Sequence, residues 1–298
     1  MGTPVAEPAV EQIRRFNRTV AEGIGLLEDR FLGLARPLGE ARLLWEIGPD
    51  GADVRALRGR LGLDSGYVSR LLRSLERQRL VRVRVSAADR RMRRAELTKA
   101  GLAERAELDR RSDAVALRML EPLNDRQRTT FIAAVAEVER LLQASMVRFT
   151  IEDPASADAQ WCLNQYYAEL NTRFEAGFSP AVALPVDASA VTPPAGALFV
   201  ARLRGRPVGC GAIKLRGRTH GLLKRMWISP SARGLGLGRR LLMTLEQHAR
   251  EAGIRIVRLE TNRALREAIA LYQQSGYVEV APFDAEPYAH HWFEKRLT

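Results

Sequence analysis

The chain of 298 residues has only two cysteines, Cys162 and Cys210, which fall in different predicted elements and lack Cys-x-x-Cys spacing. A disulfide framework is excluded, and no zinc-ligand pattern is present, so no metal is expected. Long apolar runs are missing as well. No apolar stretch follows Met1, and the mildly apolar segment from Ala181 to Val200 is broken by Pro185, Asp187, Pro193 and Pro194. Neither secretion nor a membrane span is expected, and a reducing cytoplasm suits the two thiols. Repeats and low-complexity tracts are absent, and so is a flexible linker: Gln143-Ala-Ser-Met runs straight into Val147-Arg-Phe-Thr-Ile, the start of a predicted strand.

What is present is enough apolar material, 46% of residues, for two ordinary domains. The formal net charge is +12, and it is unevenly placed. Residues 51–100 hold 14 basic and 5 acidic side chains and residues 201–250 hold 12 and 1, while the rest of the chain is net acidic. Each excess calls for an anionic partner.

The second excess surrounds Ser229-Pro-Ser-Ala-Arg-Gly-Leu-Gly-Leu-Gly-Arg-Arg-Leu-Leu-Met243. Leu222 to Ile228 reads as a strand before it, and Leu241, Leu242, Leu245 and Ala249 recur at helical spacing after it. Gly234, Gly236 and Gly238 let a strand-to-helix loop turn tightly and expose its amides, at the end of the helix where the dipole favours a phosphate. A dinucleotide fingerprint needs Gly-x-Gly-x-x-Gly, and the third glycine position holds Arg239 or Leu241. Glu260, closing the next strand, imitates the ribose-binding acid of that fold, but the missing glycine counts against it.

Arg233-x-x-Gly236-x-Gly238 after a strand instead resembles the pyrophosphate motif of the GNAT acetyltransferases. About thirty residues on, Asn262-Arg-Ala-Leu-Arg-Glu-Ala-Ile-Ala-Leu-Tyr-Gln-Gln-Ser-Gly-Tyr277 resembles that family's later signature. The resemblance covers roughly residues 147 to 298. It implies an α/β fold with a mixed, mostly antiparallel central sheet, acetyl-CoA as cosubstrate, and an amine acceptor, either small or on a protein. It further implies that the amides from Arg233 through Gly234, Leu235, Gly236, Leu237 and Gly238 to Arg239 hold the diphosphate. Met226, Trp227 and Ile228 would offer main-chain groups to the thioester carbonyl, Asn262 would fix the pantetheine side, and Tyr272 would return a proton to the leaving thiolate.

The first half reads as helices over residues 10–32, 38–47 and 54–61, the last ended by Gly62. Asp64 or Ser65 then caps a further helix whose Val68, Leu71, Leu72 and Leu75 face inward. Its outer face carries Ser65, Tyr67, Ser69, Arg70 and Arg73, groups of the kind that meet phosphates and base edges. Leu80 to Val85 and Arg94 to Leu97 read as a hairpin tipped by Ser86-Ala-Ala-Asp-Arg-Arg-Met-Arg93, and helices follow over 98–120 and 125–144. Asp64-Ser-Gly-Tyr-Val-Ser-Arg-Leu-Leu72, the Asp89-Arg-Arg91 tip and Leu97-Thr-x-Ala-Gly101 together resemble the MarR family of winged-helix regulators, over about residues 10–145. That implies a mainly α, dimeric domain on a double-stranded DNA operator, with Arg90, Arg91 and Arg93 on the wing. The dimer would use Leu117, Leu120, Leu123, Phe131, Val135, Val138, Leu141 and Leu142. The expected domains are 1–145 and 146–298.

One departure bears on catalysis. Many GNAT enzymes carry a glutamate in the strand before the loop, where this chain has Leu222. Glu260, His220, His290 or His291 could serve as base instead, or the amine could arrive deprotonated. Three functions stay open: a regulator that is also an N-acetyltransferase, a regulator whose second domain only senses acetyl-CoA or another ligand, and an acetyltransferase that the winged helix merely dimerises.

Overall fold

The computed structural model describes residues 7–25, 36–85, 92–184, 187–217 and 219–297. By its internal contacts the chain divides into two units, Met1–Ala136 and Glu137–Thr298.

The first unit begins with α1 (Glu7–Gly23), which ends well short of the expected residue 32, and residues 26–35 lie outside the described set. After α2 (Leu38–Ile47) comes a two-residue strand, β1 (Ala52–Asp53), which the sequence reading did not foresee. Then α3 (Val54–Leu61) and α4 (Ser65–Arg77) form the helix-turn-helix. Each is capped by an aspartate: Asp53 accepts the Ala56 amide and Asp64 the Tyr67 amide, both at 2.9 Å. Caps of this kind are worth about 0.5–2 kcal/mol each. Between the helices, Gly62 takes the left-handed conformation (φ 65°) that an L side chain resists. Leu43 and Leu44 of α2, Leu57 of α3 and Val68, Leu72 and Leu75 of α4 close a single core.

β2 (Val81–Val85) and β3 (Arg93–Leu97) pair antiparallel, and β3 also pairs with β1, giving a three-stranded wing sheet in the order β1-β3-β2. α5 (Lys99–Leu120) starts at Thr98, whose hydroxyl accepts the Gly101 amide at 3.1 Å. Gly101 has to be glycine, because a Cβ there would collide with the Leu80 carbonyl oxygen. α6 (Asp125–Met146) is the last helix before the second unit, and the division between units falls inside it.

The second unit is built on a seven-stranded sheet in the order β4-β5-β6-β7-β8-β10-β9. Its strands are β4 (Arg148–Glu152), β5 (Gly196–Leu203), β6 (Arg206–Arg216), β7 (His220–Ile228), β8 (Ile256–Thr261), β9 (Val278–Val280) and β10 (His291–Arg296). All pairs are antiparallel except β7–β8. The expected mixed sheet is thus present, with β10 and the helix α7 (Ala157–Arg173) as elements that the sequence reading left unassigned.

Alternation along the strands supplies a core to each face. Leu198 and Val200 of β5 pack with Ala159, Cys162 and Leu163 of α7 on one side. Ala197 and Phe199 face Leu241, Leu242, Leu245 and Ala249 of α8 (Leu237–Glu251) on the other. The remaining helix, α9 (Arg266–Gln274), brings Tyr272 to that second core.

Candidate functional site

The site follows from one irregularity in β7. Cys210 of β6 pairs with Trp227, and Ala212 pairs with Lys224, so Arg225 and Met226 together stand opposite the single residue Gly211. This is a β-bulge, with Arg225 at φ 57°. A left-handed non-glycine residue costs about 1–3 kcal/mol and persists only where its surroundings hold it. On its other edge β7 pairs with β8 from His220 to Leu222 and no further, while β8 runs its whole length against β10. Beyond Leu222 the two parallel strands therefore splay. Two cavities open into that gap.

The larger, about 580 Å³, has the size of a site for an extended organic ligand. It is lined by Met226, Trp227, Ile228, Arg233, Gly234, Gly236, Leu237, Gly238, Arg239 and Tyr272, among others. Nearly the whole predicted cofactor set is thus brought together, and its local geometry fits a diphosphate. Gly234 (φ 74°) and Gly236 (φ 70°) both adopt left-handed backbone. Gly238 lies so near Leu271 of α9 that a Cβ would come within 3.3 Å of it. Gly236 is the N-cap of α8 and provides no side-chain cap, which leaves the amides of the first turn as donors to an anion.

Two members of the predicted set are placed differently. Leu235 lies outside the cavity lining and packs with Ala232 and Leu237 in a small core. Asn262 is buried and lines the other cavity, where its Oδ1 accepts the Ala264 amide at 2.9 Å and its Nδ2 donates to the Tyr288 carbonyl at 2.7 Å. Its amide pins the chain after β8 to the C-terminal loop. Arg233 lines the cleft, but its guanidinium donates to Glu169 of α7 and, at 3.0 Å, to the Ile228 carbonyl. Glu169 also accepts Trp227 Nε1 at 2.8 Å. Burial pushes its carboxyl upward, but the hydrogen bonds from Arg233 and Trp227 prevail and hold it below the usual carboxylate range.

The smaller cavity, about 120 Å³, is lined by aromatic rings from α7 and the segment after it, by Lys224, Arg225 and Glu260, and by Glu286 and Tyr288 of the loop before β10. Lys224, Glu260 and Glu286 are nearly sealed from solvent, with side chains 9, 7 and 10% exposed. Lys224 Nζ donates to Glu260 Oε1 and lies 3.8 Å from Glu286 Oε2, which accepts the Leu184 amide at 3.1 Å. Among the described residues Glu260 Oε2 and Glu286 Oε1 are buried with no hydrogen-bond partner. Desolvation pushes the Glu260 carboxyl above its ordinary value, against the pull of the Lys224 charge.

The cavities share Tyr166, Leu170, Met226, Leu265, Ala268 and Tyr272. Tyr272 donates to Met226 Sδ at 3.9 Å, and burial pushes its hydroxyl, like that of Tyr166, well above the usual phenol range, so both stay protonated. Glu260 and Tyr272 therefore meet around one cavity. The histidines do not join them. His220 is held by the Thr219 hydroxyl at 2.7 Å, His291 by Glu279 at 2.7 Å, and His290 is exposed; none lines either cavity. Leu222 is buried in the last paired register of β7–β8 and also lines neither. Glu169, Tyr166, Lys224 and Glu286 are functional candidates that sequence reasoning missed. Of these, Tyr166 alone had a local signal, since it belongs to the helical spacing of α7.

In the first unit, α4 leaves Ser65, Arg70 and Arg73 exposed, with Ser69 half-buried. Tyr67 is half-buried against the α2–α4 core, and the Arg70 guanidinium lies 5.6 Å from its ring centre. Arg93 is exposed at the start of β3, whereas Arg90 and Arg91 lie outside the described residues. Leu117, Phe131, Val135, Val138, Leu141 and Leu142 are exposed in the single chain. No helix among the described residues is long and apolar enough to cross a membrane.

Comparison with known proteins agrees with both halves. The IAA acetyltransferase of Azospirillum brasilense is 44% identical over 86 residues, 28% of this chain and 56% of that protein. The uncharacterized N-acetyltransferase YjgM of Escherichia coli strain K12 is 37% identical over 90 residues, 29% of this chain and 54% of that protein. The chain thus spans little more than half the length of either relative. An acetyltransferase of the GNAT family from Staphylococcus aureus Mu50 superposes with a TM-score of 0.42 at 15% identity, over 51% of this chain and 99% of that one. Residues 163–277 match the sequence model of the acetyltransferase (GNAT) family, and residues 32–92 match that of the MarR family. The chain is a fusion of a MarR-family segment with a GNAT-family segment.

Proposed function

We propose that the protein is a DNA-binding regulator and an acetyl-CoA-dependent N-acetyltransferase, with its domains at 1–145 and 146–298. The observation that carries the enzymatic reading is the meeting of the two cavities at Met226 and Tyr272. One has the glycine loop for a diphosphate, the other buried carboxylates for an amine. Bound acetyl-CoA would supply an activated acyl group.

The chain's own residues account for the rest. Amides from Gly234 to Arg239 hold the diphosphate, and main-chain groups freed at the bulge, Met226 to Ile228, orient the acyl end. Glu260, with its raised affinity for a proton and an Oε2 that has no partner among the described residues, accepts the proton that the amine nitrogen loses as it bonds to the acyl carbon. As the carbon–sulfur bond breaks, Tyr272 protonates the departing sulfur. Calorimetry with CoA, followed by thiol release from acetyl-CoA over a panel of amines, tests this. Binding without turnover on any amine would favour the second reading, a sensor without catalysis.

For the first unit, the exposed Ser65, Arg70 and Arg73 of α4, half-buried Ser69 and Tyr67, and Arg90, Arg91 and Arg93 of the wing form the DNA-binding set. The exposed apolar residues of α5 and α6 suit a homodimer on a two-fold operator. A shift assay on the DNA upstream of the coding sequence tests it: Arg70→Ala should weaken specific binding by about 1–3 kcal/mol. Unchanged binding would take α4 out of the groove.

A further inference from the structure

Resting on the acetyltransferase reading, we infer that the acceptor is an α-amino acid with a single-ring aromatic side chain, bound as a zwitterion in the smaller cavity. Volume is the first argument. About 120 Å³ is close to the roughly 150 Å³ of an engineered apolar cavity that binds benzene. The space has room for one ring.

The walls match that guest. Tyr167 stacks on Phe178 at 5.7 Å between ring centres, Phe174 stands edge-on to Phe178 at 5.9 Å, and Tyr288 lies 4.9 Å from Phe178. These rings satisfy one another in offset and edge-to-face pairs, and a cavity lined by such a cluster favours an aromatic guest. The two segments that carry the rings are clasped together, because the Ser179 amide donates to Tyr288 Oη at 3.0 Å and the Leu184 amide to Glu286. Chain segments on both sides thus narrow the cavity.

Charge supplies the second argument. Among the described residues Glu260 Oε2 and Glu286 Oε1 are two buried acceptors without donors, and an ammonium group offers three donors; it gives one proton to Glu286 before attack and a second to Glu260 as the nitrogen bonds to the acyl carbon. On the opposite sign, Arg225 lines the same cavity, and its guanidinium lies 5.4 Å from the centre of the Tyr167 ring. It has no acidic partner among the described residues. A carboxylate is the natural complement of that planar fork. A zwitterion answers both the carboxylates and Arg225, whereas an amine alone leaves Arg225 unanswered. The bulge sets Arg225 in its left-handed conformation at the mouth of the gap between β7 and β8.

The test uses the full chain, acetyl-CoA and four probes: phenylalanine, phenethylamine (no carboxylate), the amide of Nα-acetyl-lysine (a protein-lysine mimic) and alanine (no ring). Phenylalanine should be acetylated with kcat/KM at least tenfold above each of the others. Arg225→Met should lower the phenylalanine-to-phenethylamine ratio about tenfold, and Arg225→Lys should lower it less. Wild-type discrimination needs no variant, so poor folding of either variant leaves the comparison standing. If CoA binds by calorimetry but the lysine amide, alanine or phenethylamine equals or surpasses phenylalanine, the inference is overturned and the acetyltransferase reading survives. If CoA itself does not bind, both fall.

Discussion

The two cavities of the second unit share a wall but are made of different material. The larger has main chain as its distinctive part: glycines in left-handed conformation, an uncapped helix start and the freed edge of a bulged strand. The smaller is made of side chains from α7, β7, β8 and the loop before β10, and depends on which ones arrive there. Main-chain sites tolerate almost any residue that permits the backbone path, and side-chain sites tolerate few. The comparison teaches that a shared family can fix the first cavity and leave the second free to choose its guest.

Breaking the main-chain site should give the largest effect. Gly236→Asp places a carboxylate where a diphosphate would lie and a Cβ where φ is 70°, and should weaken CoA binding beyond about 100-fold, or about 2.7 kcal/mol, by calorimetry. Retained affinity would mean that the loop faces something else. Next comes the side-chain site. Glu260→Gln should lower kcat by about 10²–10⁴ with CoA affinity intact. The sign of its pH dependence is fixed: a base acts when deprotonated, so turnover should rise with pH through a limb lying above the ordinary carboxylate range, and the same substitution should abolish that limb. A limb that survives it would assign the base elsewhere.

Tyr272→Phe tests the shared wall. Loss of about 10-fold or more in kcat with little change in CoA affinity is expected, and unaltered turnover would remove Tyr272 from the proton path. Smallest of all, Tyr288→Phe deletes one hydrogen bond, to the Ser179 amide, and should cost about 0.5–1.5 kcal/mol in acceptor kcat/KM and nothing in CoA binding. An effect on CoA would show that the two cavities are not separable.

The same contrast explains what could be read in the sequence. Gly234, Gly236 and Gly238 declare their loop because backbone freedom is a local property. Asp64 with Val68, Leu72 and Leu75 likewise declares α4, since a cap and a helical period need no distant information. α7 was legible in principle: Ala159, Cys162, Leu163, Tyr166, Tyr167 and Leu170 recur at three and four, although mixed polar residues weaken the pattern. The smaller cavity was legible only in outline. Phe174 and Phe178 lie more than a hundred residues from Tyr288 in the chain, and Glu286 meets Lys224 only because β10 inserts between β8 and β9. No local period records that insertion. The histidines misled because a suitable side chain was judged without its direction, and Leu222 because the acid it replaces was weighed before its distance from the cavities was known.

The bulge at Gly211 has an arithmetic consequence. A strand presents alternate residues to alternate sides, and the extra residue in β7 shifts that count by one, so that Lys224 and Arg225 reach the smaller cavity while Trp227 and Ile228 reach the larger. Removing a single residue there would turn every later side chain of the strand over at once. At that point the number of residues is therefore constrained more tightly than their identity.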